Sequence, residues 1–201
     1  MSSSRSIATD TPFFSILTKY KMKINKAKLI RNTRLEVSYF DQEGNEVVIK
    51  GVNEVHPDLK NAMKRLVPFF CELTEQKEAD KLDWLNPESD DNKELTKMLD
   101  VTGVKISGGD DSFENVILSG RRTLSVTNKI LTLNTPSINL DGEAEEYNRL
   151  SELQEAVDAV LEEAKLYIKD RKFAVVQLEM DFNKEDPFAE GEAGESDPLE
   201  E

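Results

Sequence analysis

Hydrophobic and polar residues alternate along two neighbouring stretches of the chain, RLEVSYF (34–40) and EVVIKGV (46–52). An alternation of this kind is typical of strands with one buried face. Between them lies DQEGN (41–45), in which Gly44 can adopt the positive φ that many tight turns require. The pattern therefore predicts a β-hairpin over residues 34–52.

A helical pattern follows the hairpin. Pro57 suits the first position of a helix, where its missing N–H costs nothing, and Asp58 suits the positive end of the helix dipole. Apolar residues then recur at helical spacing and predict a buried stripe made of Leu59, Met63, Leu66, Val67, Phe70 and Leu73. We expect Pro68 to kink or split this helix, and residues 92–99 to form a short second one.

A second β block and a long helix complete the pattern. Residues 101–107, 114–122 and 129–134 are predicted to form a three-stranded meander. The strongest helical pattern covers residues 146–172, with acids in its first two turns and bases in its last. Its apolar face consists of Leu150, Leu153, Val157, Val160, Leu161, Ala164 and Ile168. Residues 173–182 alternate again and predict a closing strand, with a helical continuation as the alternative.

These elements predict an α+β fold, an antiparallel sheet of hairpins with two main amphipathic helices. We expect a flexible N-terminal extension over residues 1–21, a single domain over 22–183, and a disordered acidic tail over 184–201. The stretches NEVVIKG (45–51) and ENVILSG (114–120) are alike, which suggests a duplicated hairpin–helix unit.

The net charge of −14 is unevenly distributed along the chain. Residues 185–201 contain eight acidic residues and no basic one, whereas residues 1–56 contain nine basic and six acidic residues. A uniformly acidic protein repels nucleic acid, but an acidic tail can compete for a basic patch on the same chain.

Cys71 is the only cysteine of the chain. No intramolecular disulfide can form, so we expect a reducing compartment and a cytoplasmic protein. No apolar run approaches the roughly 20 residues that span a bilayer, and we therefore expect no membrane contact.

The sequence offers no constellation typical of catalysis. His56, the only histidine, precedes Pro57 and is expected to cap a helix, and Cys71 is expected to be a buried small hydrophobe. The stretch GGDDSFE (108–114) lacks the spacing of a calcium loop, and we predict a solvated turn there. We predict no catalytic residue, no metal site and no cofactor, and hence a protein that is not an enzyme.

A basic stretch and nearby aromatic residues suggest nucleic-acid binding. Residues 23–34 contain five basic residues and no acidic one. Cations that pair with phosphates and rings that stack on bases are the means by which proteins hold single strands without reading sequence. The predicted binding residues are Lys23, Lys26, Lys28, Arg31, Arg34, Tyr39, Phe40, Arg121 and Arg122. The alternative is an ordinary solvated edge, where lysines also guard against aggregation.

The stretch MDFNKEDPF (180–188) resembles the carboxy-terminal tails of single-stranded DNA-binding proteins, in which acids are followed by Pro-Phe. The resemblance implies that the tail recruits replication and repair partners through Asp186, Pro187 and Phe188, and that it competes with DNA. In bacterial members of that family the Pro-Phe pair is terminal, whereas here thirteen residues follow it. The alternative is a tail that only increases solubility.

The body of the chain, with VILSGRRTL and ILTLNTP before a long amphipathic helix, resembles uncharacterised phage and prophage accessory proteins. The leading hypothesis is a single-stranded nucleic-acid-binding accessory protein of phage-type replication or recombination, with an acidic partner-recruiting tail. The alternative is an acidic protein-binding module, an inhibitor or DNA mimic that binds no nucleic acid. Its spaced charges would be Glu152, Glu155, Asp158, Glu162 and Glu163.

Overall fold

The computed structural model describes residues 22–41, 43–108, 114–141 and 147–174. Within these residues seven antiparallel strands form one sheet, and helices cover one of its faces. The strands are β1 (Lys23–Ile30), β2 (Arg34–Phe40), β3 (Glu46–Lys50), β4 (Leu99–Ser107), β5 (Asn115–Thr123), β6 (Ile130–Asn134) and β7 (Ile138–Asn139). The helices are α1 (Pro57–Arg65), α2 (Val67–Leu73), α3 (Asp90–Leu95) and α4 (Leu150–Lys169), with a 3-10 turn at Ala79–Lys81. The predicted α+β fold with an antiparallel sheet is confirmed.

The predicted hairpin is present as β2 and β3. Its turn is held by the Asp41 carboxylate, which accepts hydrogen bonds from the backbone nitrogens of Glu43 and Asn45 at 2.9 and 2.8 Å. Gly44 adopts a φ of 83°, a value in the left-handed region that favours glycine. The same face of the hairpin buries Leu35 and Val37, as the alternation predicted.

Strand β1 was not predicted, although it lies in the middle of the sheet between β2 and β4. Its buried residues are Ile24, Ala27 and Leu29. The ladder with β2 shifts register between Ile24 and Lys26, so the buried positions do not follow a strict period of two. This irregularity, together with the density of lysines, conceals the strand from an analysis of alternation.

The first helical segment follows its prediction. His56 caps α1 by accepting a hydrogen bond from the Asp58 backbone nitrogen at 3.3 Å, and Pro57 is the first residue of the helix. The helix is interrupted at Leu66, directly before α2 with Pro68 near its start, because proline cannot continue the hydrogen-bond ladder. The short helix predicted at 92–99 is observed at Asp90–Leu95, where the Ser89 hydroxyl accepts from the Asn92 nitrogen.

Helix α4 begins at Leu150 and ends at Lys169, so it is shorter than the predicted range of 146–172. Before it, Tyr147 donates a hydrogen bond to Glu72, and the Arg149 guanidinium lies 4.1 Å from the centre of the Trp84 ring. These contacts hold residues 147–149 in a non-helical entry. After it, Arg171 has a φ of 53°, which is incompatible with a continuing helix. The helix packs against α1 and β1 through a buried face made of Leu150, Leu153, Ala156, Val157, Val160, Ala164 and Tyr167.

The described strands form two successive antiparallel meanders, β1–β2–β3 and β4–β5–β6, which join through the pairing of β1 with β4. A helix that packs on the sheet follows each meander. The likeness between residues 45–51 and 114–120 does not relate equivalent strands, however, because it compares the sheet-end strand β3 with the interior strand β5. The two halves therefore repeat the same topology, but the seven-residue likeness is not evidence that one half is a duplicate of the other.

Two predicted segments and most of two others lie outside the described residues. They are the extension at 1–21, the acidic tail at 184–201 with Asp186, Pro187 and Phe188, the solvated turn at 108–114 except for its two end residues, and the strand at 173–182 beyond its first two residues. Those first two residues are in the structure. Phe173 forms an antiparallel bridge with Val55, and the Ala174 nitrogen donates to the Glu54 carbonyl at 3.0 Å.

Candidate nucleic-acid interface

The sheet face opposite the helices, here called the open face, carries lysines from three strands. Residues paired across antiparallel strands share a face, and the pairing forms two neighbouring rows. One row runs Lys50, Glu36, Lys28, Gly103, Ser119 and Asn134. The next runs Val48, Ser38, Lys26, Lys105 and Ile117. Residues that alternate with them, such as Ala27, Val37, Val104 and Leu118, are buried beneath the helices.

One carboxylate is shared among these lysines. Lys26 Nζ donates a hydrogen bond to Glu36 Oε1 at 2.6 Å, and Lys50 Nζ lies 3.8 Å from Glu36 Oε2. The hydrogen bond outweighs the effect of burial and, with the positive charges of Lys26, Lys50 and Lys28, holds the pKa of Glu36 below its ordinary value. Among the described residues, Glu36 is the only acid that forms an ion pair with Lys26, Lys28, Lys50 or Lys105. The two rows therefore carry a net positive charge.

Lys26 and Lys105 occupy directly opposite positions in the β1–β4 ladder. Like charges in such positions repel each other and weaken the pairing of the strands. Lys105 is exposed, as are Lys28 and Lys50. An anionic ligand that lies across β1 and β4 would relieve this repulsion.

One end of the open face adds an aromatic ring. Phe40 is paired with Lys23, and its side chain is 43% exposed. Lys23 forms an ion pair with Glu114 at 3.0 Å. On its other side Phe40 is paired with Glu46, and the row next to it contains Lys26 and Lys105. A base stacked on the ring would lie next to a phosphate bound by these lysines.

Tyr39 and Arg122, which the sequence grouped with these lysines, lie on the other side of the sheet. Tyr39 is paired with the buried Ile24 and packs against the core. Arg122 donates hydrogen bonds to Gln76 and Glu78 of the helix layer, and its side chain is only 17% exposed. The structure does not bring these two residues together with the open-face lysines.

The remaining arginines of the predicted group have different environments. Arg34 is exposed and is paired with Ile30 at the end of β1. Arg31 is exposed in the turn that follows, with a φ of 53°. Arg121 is on the open face, where it contacts Asp100 and Asn32. The charge of Arg121 is thus balanced locally by Asp100, whereas the charge of Arg34 acts on Tyr167 of α4, on the helix side of the sheet.

Lys50 and Lys105 were missed by the sequence analysis. Lys50 follows the half-buried Ile49, and Lys105 alternates with the buried Val104 and Ile106. Alternation alone would have assigned each to the polar face of its own strand. What the sequence does not reveal is that β1 lies between these strands and aligns Lys105 with Lys26.

Cys71 and His56, the two residues that the sequence raised as candidates for catalysis, occupy structural positions. Cys71 is completely buried in α2, and burial, aided by the charge of Glu78, raises the pKa of its thiol to about 11. His56 serves as the cap of α1 and lies 3.1 Å from an Asp58 oxygen. Within the described part of the chain, no three His, Cys, Asp or Glu side chains converge as metal ligands. None of the helices described there is long and apolar enough to cross a membrane.

The helix side carries a groove of about 1170 Å³ between α1 and α4. Three acids from the alternative hypothesis, Glu152, Glu155 and Glu163, line it together with Lys64 and Arg65. Glu163 is paired with Lys172 at 2.8 Å, and Glu162 is paired with Lys165. The acids of α4 are thus partly neutralised by neighbouring bases.

Comparison of the chain with protein-family models, with curated proteins and with solved structures finds no match.

Proposed function

We propose that the protein is a non-enzymatic, cytoplasmic accessory of phage-type replication or recombination that binds single-stranded nucleic acid on the open face. The observation that carries the proposal is the alignment of Lys26, Lys28, Lys50 and Lys105 around one shared carboxylate, on the sheet face opposite the described helices. Phe40 supplies an exposed ring at the end of this surface. Residues 185–201 compete with the ligand for the lysines and recruit partners through Asp186, Pro187 and Phe188.

The dimensions of the surface favour a flexible single strand. Lysines on adjacent strands lie about 5 Å apart, and those two positions apart on one strand lie about 7 Å apart. A single strand can adjust its backbone to such a spacing and turn its bases toward Phe40. Recognition through phosphates and stacking carries little sequence preference, which suits an accessory that follows whichever strand is exposed.

A matched pair of charge variants tests the proposal. Lys28→Gln combined with Lys105→Gln removes two open-face cations, while Lys64→Gln combined with Lys77→Gln removes two exposed cations of the helix layer. Binding of labelled oligothymidylate is measured by fluorescence anisotropy at several salt concentrations. We expect the first pair to weaken binding about tenfold at about 50 mM salt and to reduce the salt slope by about 1.4. The second pair leaves the slope unchanged. Equal effects of the two pairs, or no binding by either parent or variant, would contradict the proposal.

The role of the tail is tested in the full-length chain. Replacing the eight acids of residues 185–201 by their amides keeps the length of the tail and removes its charge. We expect tighter oligonucleotide binding at low salt and a difference that disappears at high salt, because charge competition is screened. If the neutral tail leaves the affinity unchanged, the competition is refuted. Capture of a basic enzyme by a protein that binds no oligonucleotide would instead support the acidic-module alternative.

A further inference from the structure

The outer edge of β3 presents backbone groups that no described strand pairs. β3 is the end strand of the sheet, bonded on one side to β2. The Gly51 nitrogen donates to the Leu35 carbonyl at 2.8 Å, and the Asp41 nitrogen donates to the Asn45 carbonyl at 3.0 Å. Since inward and outward groups alternate in an antiparallel ladder, the N–H and C=O groups of Glu46, Val48 and Lys50 face outward.

The same edge continues past β3 and meets the chain end of the described residues. The Glu54 carbonyl accepts a hydrogen bond from the Ala174 nitrogen at 3.0 Å, and Val55 forms an antiparallel bridge with Phe173. On the inner side, the Val55 nitrogen donates to the Thr33 carbonyl at 2.8 Å. Glu54 therefore faces outward, as do Glu46, Val48 and Lys50. Between Gly51 and Val55 the chain bulges, because these four steps oppose only the two steps from Leu35 to Thr33 of β2.

The sequence after Ala174 matches this edge in length. An antiparallel register that pairs residue 173 with residue 55 brings residue 182 opposite Glu46, the first residue of β3. The alternating stretch of the sequence ends at that same residue, Phe182, and the acidic residues begin soon afterwards. In this register Val176 lies opposite Val52, and Met180 lies opposite Val48. Val52 and Val48 are 76% and 52% exposed.

We propose that the outer edge of β3 is the docking site of residues 175–182, which bind it as an added antiparallel strand in the register of the Phe173–Val55 bridge. The outward N–H and C=O groups of β3 gain partners, and an edge that would otherwise pair with other chains is covered. Apolar side chains cover Val48 and Val52. This inference does not depend on nucleic-acid binding.

The docked strand has a consequence for the open face, which does rest on the proposed function. Glu46 is paired with Phe40, so Phe182 in this register belongs to the same row as Phe40 and Lys23. The acidic residues 185–201 then begin beside the open face, at a high effective concentration for competition with a bound strand.

Disulfide formation tests the register in the full-length chain. Val48→Cys combined with Met180→Cys places two thiols on directly opposite residues, about 5.5 Å apart between Cα atoms, which suits a disulfide. The control, Val48→Cys combined with Glu179→Cys, places the second thiol on the opposite sheet face. The native Cys71 is buried, has a pKa raised to about 11 and does not compete. On mild oxidation we expect a faster-migrating monomer for the first pair and none for the control. Equal closure in both variants, no closure in the first, or a covalent dimer that assigns the edge to a second copy would overturn the proposal.

Hydrogen exchange tests the same edge without a disulfide. The amides of Val48 and Lys50 face outward, whereas those of Val47 and Ile49 face β2. In the native full-length chain we expect protection of both sets. In the Leu178→Pro variant, residue 178 has no N–H to donate to the Lys50 carbonyl. We expect the outward amides of Val48 and Lys50 to lose protection in this variant, and the inner amides of Val47 and Ile49 to keep it. Leu178→Ala is the matched control and retains protection. Unprotected Val48 and Lys50 amides in the native chain would refute the docking, while the Lys28 and Lys105 variants would still report on nucleic-acid binding.

Discussion

Lys26 donates a hydrogen bond to Glu36 across the β1–β2 ladder, with 2.6 Å between Nζ and Oε1. Glu36 also lies between Lys28 and Lys50 in its row. The negative charge of Glu36 reduces the repulsion among the lysines on the open face. The same charge repels an anionic ligand that binds there. A substitution of Glu36 can therefore change the charge of the open face and its affinity for an anionic ligand with little effect on the stability of the fold.

Glu36→Gln is expected to strengthen oligonucleotide binding several-fold at low salt, because a neutral amide leaves the surrounding lysines uncompensated. The accompanying loss of stability is expected to be about 1 kcal/mol or less, since Lys26 and Lys50 are both substantially exposed. Anisotropy titration gives the affinity, and urea denaturation checks the fold. Unchanged or weaker binding by a folded variant would contradict the assignment of the open face.

The ion pair between Glu78 and Arg122 predicts a specific acid sensitivity. Both side chains are 17% exposed, and the hydrogen bond from Arg122 outweighs burial to hold the pKa of Glu78 below its ordinary value. A carboxyl whose pKa is lower in the folded state stabilises the fold above its unfolded pKa, about 4.3, and loses this contribution as the pH falls below that value. Glu78→Gln should therefore lower the free energy of unfolding by about 1–3 kcal/mol at neutral pH. The difference from the parent should shrink at about pH 3. Urea titrations at both pH values measure it, and a constant difference would contradict the prediction.

Gly120 in β5 is expected to tolerate no side chain. A Cβ at this position would lie 2.6 Å from Phe70 Cζ and 2.6 Å from the Asp100 carbonyl oxygen. Gly120→Ala should lower the free energy of unfolding by about 1–3 kcal/mol through overpacking. Ser119→Ala, a change to the neighbouring residue on the open face, serves as the control, and Phe70→Leu should recover part of the loss. A denaturation midpoint equal to that of the parent would show that the helix layer can yield at this point.

Cys71 is expected to resist thiol reagents in the native protein. It is completely buried, and burial raises the pKa of its thiol to about 11, so both access and the thiolate fraction are low at about pH 8. Ellman's reagent should modify one thiol per chain in denaturant and react in native buffer only at the rate of opening. Rapid modification of the native protein would mean that α2 separates readily from the sheet.

Local pattern accounts for several elements. The β2–β3 hairpin follows from alternation and a glycine turn, and the division between α1 and α2 follows from Pro68, because these signals act within a few residues. Strand β1 was not predicted, because the register shift between Ile24 and Lys26 disturbs its alternation. Tyr39 was assigned to the basic surface on proximity in sequence, although successive residues of a strand point to opposite faces.

The sequence by itself determined the α+β composition, the buried helical stripes and the presence of a basic segment at residues 23–34. These depend on periodicity and charge, which are local properties of the chain. Only the tertiary structure decided that β1 pairs with β4, that Lys105 and Lys50 join Lys26 and Lys28, and that Arg122 turns away to Glu78. Strand order and register depend on contacts between residues far apart in the chain, and these contacts decide which charges share a surface.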